Sequence, residues 1–146
     1  MKFLAVLIAT SLLLIATQAH SRNTKHMFSI QQALQSADFK QRLEPNIRLY
    51  FGDQKHPKKT DFLGQFSSNK KTNSFNKTDK QACQWVLLSA LLSLQDRAKR
   101  EGGNAVINIA SYYNKNTVRM DTDYECHAGA VIAGVALIGD VVTLAR

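Results

Sequence analysis

Cysteine is scarce in this chain: Cys83 and Cys126 are the only two. One possible pair excludes a multi-disulfide framework, and no CxxC or other tight ligand spacing marks a metal site. Acidic residues are also few, 11 Asp and Glu against 19 Lys and Arg, for a formal charge of +8. That excess favours anionic surfaces such as nucleic acid, acidic lipid or polysaccharide, and carries no information about fold. Long apolar runs are absent too. Phe3 to Ala16 and the stretch of about eleven residues from Ala128 to Ile138 both fall short of the roughly 20 needed to span a bilayer. A nucleotide loop is missing as well. Gly129 and Gly134 keep the four-residue gap of a Walker A loop, but Val135 and Ala136 occupy its Lys and Ser/Thr positions. Without that lysine the β- and γ-phosphates have no charge partner, so no ATP chemistry is supported and no cofactor is implied.

The opening "MKFLAVLIATSLLLIATQAHS" reads as a secretory signal. It has Lys2 as its positive end, an uncharged apolar core, and small residues Thr17 and Ala19 before His20. The expectation is cleavage after Ala19 and export, to the periplasm in a bacterium, with no anchoring in the membrane afterwards. His20 and Ser21 leave no cysteine for lipidation. Removing residues 1–19 takes away only Lys2 among the charges, leaving 18 basic residues against 11 acidic ones, or +7. Residues 20–146 are enough for one modest domain. In an oxidising compartment Cys83 and Cys126 can pair.

The first element expected is a helix in "FSIQQALQSADFKQRLEPN", opened by Ser29 with Gln32 in capping-box spacing and stopped by Pro45. "NIRLYFG" alternates Ile47, Leu49 and Phe51 against Arg48 and Tyr50, a strand signal. A second short strand, "DFLGQFSS", follows a lysine-rich connection, and "NKKTNSFNK" reads as loop. The strongest signal is "TDKQACQWVLLSALLSLQDRAKREGG". Thr78 and Gln81 repeat the capping spacing, Asp79 sits at the positive helix end, and Arg97, Lys99 and Arg100 sit at the negative one. Gly102 and Gly103 supply a left-handed stop. Cys83, Leu87, Ala90, Leu94 and Ala98 form one apolar stripe.

"NAVINIASYYN" reads as a strand and "KNTVRMDT" as a polar turn. The glycine-punctuated end reads as a long strand. Tyr124, Cys126, Ala128, Ala130 and Ile132 fall on one side, Glu125, His127, Gly129, Val131 and Ala133 on the other, with a bend or bulge at Gly134 or Gly139. The fold class is α+β: a small mixed or antiparallel sheet of about four strands on one long helix, plus an N-terminal helix.

The succession "LGQFSS", long helix, "GGNAVINI" and "YECHAGAVIAGVAL" resembles the small α+β domains of the YbjQ/RcsF-like group, from about Asp61 to Leu137. The chain is also similar to short exported proteins commonly labelled excinuclease ATPase subunit, a label the missing Walker lysine contradicts. The resemblance implies a small envelope protein acting by binding. RcsF-type sensors, however, are lipoproteins with two disulfides, and this chain has neither feature. YbjQ-type domains are sometimes called heavy-metal binding, and no matching ligand spacing is present here.

Three constellations remain. Cys126 beside His127 has the composition of a nucleophile and base, but neighbouring strand residues point to opposite faces, so no catalytic residue is assigned. Asp121, Asp123, Glu125 and His127 alternate onto one face. Asp123, Glu125 and His127, joined by His56 or His26, form the metal-site alternative, or the base of a secreted hydrolase. Third, Lys55, Lys58, Lys59, Lys70, Lys71, Lys77 and Lys80 meet only Asp61 and Asp79, so one 26-residue stretch carries +5. Phe62, Phe66 and Phe75 are interleaved with them, as in surfaces that bind charged polymers. The partners implied are an anionic polymer, a lipid headgroup or an acidic envelope protein. The competing account is a solubilising sheet edge.

Overall fold

The computed structural model describes residues 21–146; the signal segment expected at 1–19 lies outside them. The element order is β1 (Thr24–Ser29), α1 (Ile30–Gln35), α2 (Ala37–Arg42), β2 (Arg48–Phe51) and β3 (Lys59–Asn73). These are followed by α3 (Asp79–Glu101), β4 (Ala105–Ser111), a 3-10 turn (Tyr113–Lys115), β5 (Asp123–Ala128) and β6 (Ile132–Leu144). The class is α+β as expected, but the sheet has six strands rather than about four.

The helix α3 forms as its sequence dictates. The Thr78 hydroxyl accepts from Gln81 N while the Gln81 side chain accepts from Thr78 N, and Gly102 closes the end at φ 81°. The expected stripe Cys83, Leu87, Ala90, Leu94 and Ala98 is buried, and Ala82, Val86, Leu88 and Leu91 widen it. It packs on Val106, Ile109, Tyr124, Cys126, Ala128, Ala133, Val135, Leu137 and Val141 of the sheet. Small residues on β5 and β6 let the helix lie close, and the disulfide Cys83–Cys126 crosses that interface with Cα atoms 5.9 Å apart. Gln95, also buried, accepts from Glu44 N and donates to the Glu44 and Ile47 carbonyls, fixing the chain around Pro45.

The strand β6 is the spine of the sheet. One edge pairs with β3 along its whole length; the other meets β5 at His127↔Gly134 and Ala128↔Ala133, then β4 from Ser111↔Leu137 to Ala105↔Val142. β1 extends the sheet beyond β5, antiparallel, and β2 beyond β4, parallel. Two branches therefore leave one edge of β6, and the β1–β5 ribbon is attached to it by two register pairs alone. A second small cluster, Ala105, Ile107, Val142 and Leu144 with Tyr50, covers part of the face away from α3.

Four expectations are corrected. The N-terminal helix begins at Ile30 with the Ser29 cap in place, but it breaks at Ser36, which is extended (ψ 152°) and whose hydroxyl donates to Ala33 O. The segment before it, where no element was expected, is β1. The short strand at Asp61 is a 15-residue strand that takes in "NKKTN", assigned to loop above. The long terminal strand is a hairpin. Its turn at Gly129 to Val131, closed by Gly129 N to Ile132 O at 2.8 Å, carries Ala130 and Ile132 out of the core.

Candidate functional site

The face of β5 away from α3 carries the first cluster. Glu125 is 7% exposed and its carboxylate is fully engaged: Ser111 Oγ donates to one oxygen at 2.9 Å and His127 Nε2 to the other at 2.6 Å. Burial works against ionisation of Glu125, but the bonds from His127 and Ser111, with Lys25 nearby, outweigh it and hold the carboxyl below the usual range. Tyr113 stacks on the His127 ring at 3.5 Å and 11°, and Asn23 donates to the Tyr113 hydroxyl. Ser111 belongs to β4 and Glu125 to β5, so the cluster bridges the two branches where the backbone ladders part.

Chemically this is a polar strap. The Ser111 hydroxyl gives its proton to Glu125, not to His127, so the imidazole does not activate it as it would a nucleophile. Cys126 is consumed by the disulfide. Asp123, Glu125 and His127 do not converge as a ligand set, and no group of three or more His, Cys, Asp or Glu among the described residues could hold a metal ion. The other expected ligands are elsewhere. Asp121 accepts from Asp53 N at 2.7 Å, His56 bonds the Pro57 carbonyl, and His26 bonds Asp79.

The basic stretch forms the second candidate. Lys55, Lys58, Lys59, Lys70, Lys71, Lys77 and Lys80 are all exposed. They do not make one patch. From Lys59 to Lys70 an extended strand covers roughly 37 Å, several Debye lengths at physiological salt. Lys55, Lys58 and Lys59 lie at the end of β3 beside Leu144, and Lys70 and Lys71 at the end beside Val135 and Gly134. Lys77 folds back onto the second end, its Nζ donating to Asn73 O at 3.0 Å. Asp79, the acid nearest in sequence, is occupied by Arg22 (2.7 and 3.0 Å) and His26 (2.7 Å), and these bonds lower its pKa to about 2. The three phenylalanines divide. Phe66 is half-buried under Arg97, 4.0 Å from the ring, while Phe62 and Phe75 are 55% and 63% exposed.

Two features escaped the sequence. Val131 and Ile132, read as strand residues, are exposed at the hairpin tip, and Ser74 N and Oγ bond Val131 O and Gly129 O, both at 2.8 Å, bringing Phe75 beside them. Trp85 is 41% exposed and capped by Arg42 at 5.2 Å. It borders an open cleft of about 410 Å³ with Phe39, Gln81, Gln84 and Lys77. Its position on α3 opposite the apolar stripe was the available signal. Among the described residues no helix is long and apolar enough to cross a membrane. Comparison with protein-family models, with curated proteins and with solved structures gives no match for this chain.

Proposed function

We propose that this is a small exported envelope protein that acts by binding an anionic partner, with the lysines of β3 and its flanks as the contact surface. One observation carries the reading. Lys70, Lys71 and Lys77 stand exposed at one end of the β3–β6 ladder, and Asp79, the acid nearest in sequence, is already paired with Arg22 and bonded to His26. An excess of positive charge at this end is left to attract an external anion. The resemblance to the YbjQ/RcsF-like group points to the same class of role. The hydrolase alternative draws no support from His127, whose ring is covered by Tyr113 and whose bonding partner is Glu125.

The test is retention on heparin across a salt series. Each phosphate-like contact releases a counterion, so elution should shift with the number of lysines engaged. Lys70→Gln with Lys71→Gln is expected to elute well before wild type, and Lys58→Gln with Lys59→Gln to shift less. Co-elution of the quadruple variant with wild type would reduce the segment to a solubilising edge.

A further inference from the structure

The tip at which the lysines gather is not simply basic. Two turns are fastened together there. Residues 74–77 are closed by Lys77 N to Ser74 O at 3.1 Å, residues 129–132 by Gly129 N to Ile132 O at 2.8 Å, and Ser74 joins the two through its amide and its hydroxyl. Asn73 Oδ1 accepts from Phe75 N at 2.7 Å, fixing the start of the first turn. Ser74, the joint, is 4% exposed, whereas the large side chains beside it project outward: Phe75 63%, Val131 60% and Ile132 55%. Ordinary packing would hide such residues. Here the backbone bonds hold them out.

Lysines stand close behind them. Ile132 pairs with Asn73, and Lys71, two residues back, lies on the same face of β3 opposite Gly134. The Lys77 ammonium sits on Asn73 O, and Lys70 lies opposite Val135. An aromatic and two aliphatic side chains exposed on a braced tip, with lysines behind them, match a layered target. Such a target has an apolar interior reached a few ångströms below an anionic surface. A soluble polyanion would use the lysines and leave the apolar residues in water. A protein partner would need a concave apolar socket carrying negative charge.

We propose that this tip docks onto bilayers rich in anionic headgroups, with Phe75, Val131 and Ile132 entering the interfacial region and Lys70, Lys71 and Lys77 resting on the headgroups. The proposal rests on the anion-binding reading above and names the partner for it. Each lysine near such a surface strengthens binding about fivefold. Removing one buried large apolar side chain weakens it about tenfold or more.

The experiment measures flotation of residues 20–146 with vesicles of equal parts phosphatidylglycerol and phosphatidylcholine, with pure phosphatidylcholine vesicles and heparin retention in parallel. Wild type is expected to float with the mixed vesicles only. Phe75→Ser, Val131→Ser and Ile132→Ser combined should lose flotation yet keep heparin retention, while Lys70→Gln, Lys71→Gln and Lys77→Gln combined should lose both. Circular dichroism and the thermal midpoint of each variant separate lost insertion from misfolding. A Phe75→Trp variant on a Trp85→Phe background, leaving one tryptophan, should shift its emission to the blue with mixed vesicles. If wild type ignores the mixed vesicles, or the triple serine variant floats like wild type, the bilayer proposal is overturned. Retained heparin binding would then leave the broader reading standing, and loss of heparin binding in wild type would remove both.

Discussion

Reducing the Cys83–Cys126 bond should destabilise the domain by about 4 kcal/mol, since the link closes a loop over a sequence separation of 43 residues. For roughly 126 structured residues, with an unfolding entropy near 2.1 cal/mol/K each, that corresponds to a fall in Tm of about 15 °C. The effect should also be uneven. The β1–β5 ribbon joins β6 through His127↔Gly134 and Ala128↔Ala133 alone, so the disulfide on Cys126 is its main covalent tie to α3. Denaturant unfolding of the same protein with and without a phosphine reductant isolates the link, because both thiols stay in place and buried. Hydrogen exchange should then show residues 24–29 and 123–128 losing protection before α3 and β6. A stability change below about 1 kcal/mol would refute the loop-closure reasoning. Uniform loss of protection would refute the weak attachment of the ribbon.

Four further outcomes are expected. Asp79 ionises near 2 in the fold against a usual 3.8, so its stabilisation is fully present above about pH 4 and is lost as pH falls through 2; acid titration of wild type and Asp79→Asn should differ in that window. Gln95→Ala should cost about 3 kcal/mol in chemical denaturation, since it strands the part-buried amide and carbonyl of Glu44 and the buried carbonyl of Ile47. Thr78→Ala should cost about 1 kcal/mol by removing half of the capping box, read as a shift in thermal midpoint. Gly52→Ala should destabilise by more than about 1 kcal/mol, because φ is +55° and the added methyl would lie 2.8 Å from the Met120 carbonyl oxygen.

What was legible in the sequence was local. The cap at Thr78, the stripe from Cys83 to Ala98 and the Gly102 stop are all written within one helix, and each appears in the fold. Cys83 and Cys126 are the one possible pair in the sequence, and the structure holds that bond. The strand β3 was cut short because its second half, "NKKTN", has no apolar alternation. It lies at the sheet edge, and its extended form comes from pairing with β6, out of reach of a local pattern. The hairpin tip was hidden by composition: Val131 and Ile132 look like core, and the bond from Ser74 to Val131 that exposes them spans a long stretch of chain. The two-ended arrangement of the lysines was likewise a consequence of the length of β3.

The shared role of β6 bears on the order of assembly. Residues 59–73 leave the ribosome well before residues 132–144, their partner, and at about 5–20 residues per second the interval lasts several seconds. Throughout it the β3 segment lacks the partner that holds it extended, and its backbone groups are open to pairing with a wrong chain. Lys59, Lys70 and Lys71 repel like strands over that interval. A chain whose central strand arrives so late cannot complete its sheet while it is being made.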